Sequence, residues 1–286
     1  VYALNKLKSI GTKVTFEYQT KEVPELFSQK KYFRLLVEIF GTMFMKYFNL
    51  PDKIIGVTNE ITEYHKRIYK REGLTIGNGI LFDKSLFSGF SKFEGKNLKL
   101  VMSLADYYPW QGLERLLKSI EKYKNYMNIH LSLLVGAKNS YIESLKNNNV
   151  TIYYNLSDNE MKEIYANSNL AISSLGLYIK KLNEATPLKS REYLQRGIPF
   201  IYGYKDPDLT EDINSYLFQV SNDDSIIDFK KVIMYLDKLD TNTSEILVNF
   251  AKNELSWEKK LKKMEEFLFG SPIGNSFGKN IFFDNI

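Results

Sequence analysis

Two carboxylates eight positions apart, Glu184 and Glu192, are the residues of this chain best suited to grip a polyol. Between them stand Pro187, Lys189 and Arg191, and Gly197 closes what reads as a helix over 188–196. A helix that starts at Leu188 carries Glu192 one turn inside and leaves Glu184 in the preceding loop. The pair then lies on no common helical face, and it suits two parts of one ligand better than a shared proton. Carboxylates accept hydrogen bonds from vicinal hydroxyls such as those of a ribose or a hexose. A helix N-terminus offers unpaired N–H groups to an anion, and Lys189 and Arg191 add positive charge beside it. A diphosphate flanked by two polyols describes a nucleotide sugar. Alone, two glutamates at this spacing are ordinary charges on a helix surface and a loop, so the elements around them decide.

From Leu98 onward strands and helices alternate. Strands are predicted over 98–104, 129–135, 150–154, 170–173, 198–202 and 216–220, and helices over 111–124, 139–147, 157–166 and 188–196. Ser157 with Glu160 three residues on has capping-box spacing. Three further helices are expected over 225–239, 244–254 and 257–268. This is the pattern of an α/β fold with a parallel sheet, whose ligands sit beyond the carboxyl ends of the strands. Residues 103–112, 136–139 and the loop before Leu188 should therefore surround one mouth. Earlier in the chain, strands are expected over 13–18, 53–58 and 74–76, with helices over 29–48 and from Asn59. The polar stretch 83–97, with Gly89 and Gly95, reads as a linker. The division is then 1–82, the linker 83–97, 98–255, and a closing helix and tail over 256–286 that returns to the first domain.

Composition narrows the classes. With 286 residues and a 44% hydrophobic fraction the chain can bury two cores and is not disordered. Cysteine is absent, which excludes disulfides and thiolate zinc sites and fits a reducing cytoplasm. Two histidines give little material for a metal site, and no metal cofactor is expected. The net charge of +5 is compatible with anionic substrates or an acidic membrane surface but lacks the dense basic stripe of a nucleic-acid binder. No apolar run is long enough to span a membrane, and Val1 reads as starting partway into a domain rather than in a signal peptide. The helix over 29–48 carries an apolar face of Phe33, Leu36, Val37, Phe40, Phe44 and Phe48 beside Lys30, Lys31 and Arg34; core packing is the commoner use of such a face, and a membrane surface is the alternative.

The run Glu184-Ala-Thr-Pro-Leu-Lys-Ser-Arg-Glu192-Tyr-Leu-Gln-Arg-Gly-Ile-Pro-Phe-Ile resembles the E-x7-E segment of the retaining GT-B glycosyltransferases of group 1, the bacterial polysaccharide type. Asn78-Gly79-Ile80 is similar to the turn that closes the first domain in that family. Tyr108-Pro109-Trp110-Gln111-Gly112 resembles a variant of its diphosphate-binding segment, with Gln111 where a lysine is usual. Ala185-Thr186 also departs from the family's glycine and aromatic. The resemblance implies two Rossmann-like domains with a cleft between them, the N-terminal one incomplete here. It implies a catalytic role for Glu184 and donor binding by Gln111, Gly112, Pro187, Leu188, Lys189 and Glu192. Tyr154 and Asn155 become candidates for the base, and Glu17, Gln19, Asn78 and Gly79 for the cleft or the acceptor. The activity implied is transfer of a hexose, with retention and without a metal, from a nucleotide sugar to a saccharide or lipid-linked acceptor in cell-surface polysaccharide synthesis. The implied location is the cytoplasm or the inner face of its membrane, with peripheral membrane association as a further candidate and no nucleic-acid partner. The alternative is a non-catalytic GT-B-like protein that binds a nucleotide sugar or a partner transferase. A dinucleotide enzyme is disfavoured, because no G-x-G-x-x-G follows a first strand.

Overall fold

Strand–helix alternation builds two parallel sheets. The computed structural model describes residues 2–95, 97–240 and 242–270; Val1 and the tail beyond Gly270 lie outside the described residues. The chain forms two compact units. Among the described residues, one holds 2–57, Ile61–Ile76 and 256–270; the other holds Thr58–Glu60 and Gly77–Leu255.

The N-terminal elements run α1 (Tyr2–Ser9), β1 (Thr15–Tyr18), α2 (Glu22–Ser28), α3 (Tyr32–Tyr47), β2 (Lys53–Gly56), α4 (Asn59–Tyr69) and β3 (Gly73–Thr75). The three strands pair in parallel in the order β1-β2-β3. Tyr18, Ile54, Val57, Ile61 and Tyr69 form the core of this unit. His65 is buried and stacks on Tyr18 at 3.5 Å.

The larger unit continues with β4 (Asn97–Leu104), α5 (Leu113–Tyr123), β5 (Asn128–Val135), α6 (Ser140–Ser144), β6 (Val150–Tyr154), α7 (Asp158–Ala166), β7 (Leu170–Ile172), α8 (Leu188–Arg196) and β8 (Phe200–Tyr202). It ends with α9 (Glu211–Asn214), β9 (Phe218–Gln219), α10 (Phe229–Leu236) and α11 (Thr243–Glu254); α12 (Trp257–Phe269) belongs to the first unit. Its six strands are all parallel, in the order β6-β5-β4-β7-β8-β9. The order reverses at β4, and a doubly wound sheet opens a crevice at such a switch point. Alternate residues of β4 feed separate cores: Leu98, Leu100, Met102 and Leu104 pack with α5 and α10, while Val101 packs with α8 and α11. Burial on both faces is why these strands read as nearly continuous apolar runs.

Several boundaries differ from the sequence pattern. The strand predicted from Ile198 begins at Phe200, because Pro199 has no N–H for the ladder. The helix predicted from Ser225 begins at Phe229, where the Asp228 carboxylate caps the amides of Lys230 and Lys231. Residues 83–95 are part of the second unit and are bonded along it: Ser88 and Gly89 donate to the Arg196 carbonyl at 3.1 and 2.9 Å, and Ser91 donates to the Ser168 carbonyl at 2.8 Å. Backbone bonds hold this stretch, and composition carries no sign of those. Among the described residues no helix is long and apolar enough to cross a membrane.

Candidate functional site

At the carboxyl ends of β4, β5 and β6 the second unit holds a cleft of about 670 Å³. Its walls are Ser103, Leu104 and Ala105 at the end of β4, Leu134, Val135 and Gly136 at the end of β5, Tyr153, Asn155 and Leu156 at β6, and the start of α8. The floor is tight. A Cβ on Gly136 would stand 2.6 Å from the Ala105 carbonyl oxygen, so only glycine lets the two strand ends meet.

Helix α8 enters through Pro187, whose φ of −64° suits an N-terminus, and leaves through Gly197 at φ 75°. No side chain caps its N-terminus, so the first amides of α8 stay available to a ligand. The helix is held from behind by Tyr193. Its hydroxyl donates to the Ile172 carbonyl at 3.1 Å and accepts from the Ser103 amide at 3.0 Å. Arg191 is wholly buried, bonded to both oxygens of Asp206 at 2.5 and 2.9 Å, to Asp208 at 2.7 Å and to the Asn78 carbonyl at 3.0 Å. Arg191 is therefore a clamp, and not the phosphate cation that its place beside Lys189 suggests. The spacing Asp206-Pro207-Asp208 is one that can hold a metal, and sequence reasoning passed over it; here both carboxylates are spent on Arg191.

Lys189 lines the cleft, and its Nζ is buried with no hydrogen-bond partner. Burial pushes its pKa down to about 7. Glu192 also lines the cleft, half-buried, its Oε1 accepting from Arg196 Nε at 2.8 Å. Gln195, one turn further along the same face, joins them. The i, i+3 relation to Glu192 could have pointed to it.

The other expected site residues divide. Pro187, Leu188, Gln111 and Asn155 line the cleft; Gly112, Tyr154 and Glu184 are not among its lining residues. Gln111 and Gly112, implied as donor-binding residues, have their backbone amides engaged within the protein. Those N–H groups donate within a tight turn, to the carbonyls of Tyr108 and Pro109 at 3.0 Å each, and Gln111 Oε1 accepts the Tyr108 amide at 3.0 Å. Gly112 is needed for another reason: it sits at φ 79°, with the backbone of Leu175 and Gly176 2.7 Å from where a Cβ would be. Tyr154 packs into the core beneath β5, and it is Tyr153 that faces the cleft, since neighbours in a strand point to opposite faces. Asn155 reaches the cleft from a left-handed φ of 51°, which asparagine tolerates.

Glu184 is 9% exposed. Its carboxylate accepts the Glu60 amide at 2.9 Å and lies 3.5 Å from Lys205 Nζ. Asn78 ties the turn before Ile80 to the same loop, its Nδ2 donating to the Thr186 carbonyl at 2.7 Å; Asn78 and Gly79 do not line the cleft, whereas Ile80 and Leu81 do. Glu17 and Gln19 belong to the first unit, exposed and bonded to each other at 2.5 Å. Sequence reasoning missed Trp110, Tyr153, Leu156, Met161 and Tyr165 as wall residues. They belong to strand ends, turns and one helix face, where the pattern gives the element and not the side chain that turns inward.

No family model matches the chain, and no curated protein matches it in sequence. Solved structures do. A glycosyltransferase from Rickettsia africae superposes with a TM-score of 0.59 at 15% identity, over 94% of this chain and 81% of that one. HepE from Anabaena, solved in complex with UDP, gives 0.61 at 14% identity over 92% and 73%. WaaG, a glycosyltransferase involved in lipopolysaccharide biosynthesis, gives 0.57 at 14% identity over 94% and 81%. With its parallel, doubly wound sheet, this chain has the GT-B type of α/β fold found in those structures.

Proposed function

We propose that the cleft binds a nucleotide sugar and that the protein is a glycosyltransferase, moving a hexose to a saccharide or lipid-linked acceptor in polysaccharide synthesis. The observation that carries this is Lys189: an ammonium enclosed without a partner, on the first turn of an uncapped helix, in a cleft at the sheet's switch point. A buried cation without a counter-charge is costly unless a ligand supplies one. A diphosphate supplies it, and the α8 amides add to the grip. Glu192 would accept from sugar or ribose hydroxyls, and Tyr153 and Asn155 offer a wall to the base. The structures of HepE with UDP and with UDP-glucose support a uridine donor as the first to try.

Preorganised cation and N–H groups would stabilise charge as it builds on the leaving diphosphate. These are the protein's own groups, so turnover should persist in a chelator. Glu184 would position the loop before α8, held as it is by Glu60 and Lys205. Retention at the anomeric carbon remains a proposal from the E-x7-E resemblance.

A second reading, binding without turnover, draws on the turn at Gln111, whose amides are already used. It leaves Lys189 as the only cation among the described residues that line the cleft. Calorimetry with UDP- and GDP-sugars, alongside an acceptor assay, tests both readings. Lys189→Ala and Glu192→Ala should each weaken donor binding by roughly tenfold or more. If neither does, the assignment of the cleft is wrong; tight binding with no turnover on any acceptor favours the second reading.

A further inference from the structure

Gln195 has only one end of its amide engaged. Its Oε1 accepts the Asp83 amide at 2.9 Å, and its Nε2 has no hydrogen bond among the described residues. An amide pinned through its oxygen can offer a ligand only its N–H groups. Gln195 is 5% exposed and lines the cleft, so this free donor stands in the wall and not in bulk water.

Glu192, one turn nearer the start of α8, is its complement. Oε1 accepts from Arg196 Nε at 2.8 Å, which leaves Oε2 unbonded among the described residues. An ionised carboxylate accepts and cannot donate. One face of α8 therefore presents a free acceptor and, three residues on, a fixed donor. A hydroxyl satisfies both, donating to Glu192 Oε2 and accepting from Gln195 Nε2. A carbonyl or an N–H would satisfy one and leave the other bare.

The helix also acts as a ruler. At 1.5 Å per residue, Glu192 lies about 4.5 Å and Gln195 about 9 Å along the axis from Lys189. With the diphosphate at Lys189, the pair meets whatever lies beyond the phosphates. The cleft's other walls include Leu134, Tyr153, Leu156 and Met161, apolar surface that suits a planar base better than a hexose. The nucleoside then lies along α8. Of its two ribose hydroxyls, the 2′ is nearer the base and farther from the phosphates, and it is both donor and acceptor.

We propose that Glu192 and Gln195 together read the ribose 2′-hydroxyl, so that the cleft takes ribonucleotide sugars and rejects deoxyribonucleotide sugars such as those of thymidine diphosphate. This inference rests on the nucleotide-sugar reading. A ligand without that hydroxyl leaves the Gln195 donor and the Glu192 oxygen unpaired together. Sites built to bond a hydroxyl reject the analogue that lacks it.

The test is calorimetry with UDP, 2′-deoxyUDP and 3′-deoxyUDP, which share base and phosphates. The parent should bind 2′-deoxyUDP at least about thirtyfold more weakly than UDP, for two hydrogen bonds of which one is to a charged group. Gln195→Glu keeps an acceptor for the Asp83 amide and removes the donor; Gln195→Met removes both. In each variant the ratio of the UDP and 2′-deoxyUDP affinities should shrink by about three- to tenfold. Taking the ratio cancels any effect that the new charge, or the lost bond to Asp83, has on nucleotides in general. Equal affinity of the parent for UDP and 2′-deoxyUDP overturns the proposal and leaves the nucleotide reading standing. So does a ratio unchanged in both variants, or a loss that follows the 3′-hydroxyl instead. No binding of any of the three nucleotides by the parent refutes the nucleotide reading, and this inference with it.

Discussion

Glu184 and Glu60 exchange carboxylates and amides: Glu184 Oε2 accepts the Glu60 N–H at 2.9 Å, and Glu60 Oε2 accepts the Glu184 N–H at 3.2 Å and that of Asn183 at 2.9 Å. Each side chain fixes the other's backbone, so the loop that leads into α8 is anchored before any ligand arrives. Glu184→Gln keeps an acceptor for the Glu60 amide and should leave stability and donor affinity nearly unchanged. Glu184→Ala strands that amide and should cost about 1–2 kcal/mol in denaturant melts, with weaker donor binding. Loss of turnover in the glutamine variant at full donor affinity would instead place this carboxylate on the reacting sugar.

Lys189 should make binding depend on pH. The free protein holds its ammonium near a pKa of about 7 because burial disfavours the charged form. A bound diphosphate restores the charge, so binding above pH 7 should take up a proton, and affinity should fall between pH 7 and 9. Calorimetry in buffers of different ionisation enthalpy reads that proton directly, and Lys189→Met should remove it.

The same residue sets a stability trend of the opposite sense. The folded-state pKa lies below the unfolded value, so the unfolded chain binds the extra proton between the two and folding gains stability as pH rises through that window. Below pH 7 the unpaired charge is carried in full. Lys189→Met should therefore raise stability by about 1–3 kcal/mol at pH 6, and the advantage should shrink toward pH 10. A Met variant less stable than the parent at pH 6 would show that the ammonium has a partner in solution.

Arg191 and Asp206 form an ion pair in which both side chains are fully buried. Removing one partner leaves a buried charge alone, so Arg191→Met and Asp206→Leu should each cost about 3–5 kcal/mol. Together they should cost much less than the sum, and a double-mutant cycle by urea unfolding measures the difference. Additive losses would mean that the pair acts through its separate bonds to Asp208 and Asn78 instead.

Tyr193→Phe removes one oxygen that serves Ser103 and Ile172. The cost should be about 1–3 kcal/mol, for an amide and a carbonyl left unpaired in the interior. Because Ser103 also lines the cleft, donor affinity should fall with stability. An affinity that stays level while stability drops would separate the helix anchor from the site.

What was legible in the sequence was punctuation and period. Pro187 and Gly197 bracket α8, and its bounds come out as Leu188–Arg196 as the sequence predicts. Ser157 and Glu160 make the capping box that their spacing announces. What could not be read was direction. Tyr153 and Tyr154 are the same residue type one position apart, and only the register of β6 on β5 decides which faces the cleft. Gln111 looks available to a ligand until its amide and side chain close on Tyr108. Arg191 reads as a cation for phosphate and proves to be matched by two aspartates fifteen and seventeen residues further on. The apolar side of α3 is equally plain in the sequence, but a period of 3.6 says nothing of whether that side points in or out.

The first unit draws on both ends of the described chain, and that has a consequence for the order of events during synthesis. Lys53 donates to the carbonyl of Phe267, 214 positions away, and its ammonium lies over the ring of the same residue. No strand order or local helix signal can complete this unit until that late helix emerges. At translation rates of about 5–20 residues per second, roughly 10–40 s separate the two contributions. The second unit, apart from Thr58–Glu60, is continuous from Gly77 to Leu255 and can finish within that interval. Its parallel sheet would then already be formed when α12 arrives, and the N-terminal strands would wait, incomplete, on the chain that has yet to be made.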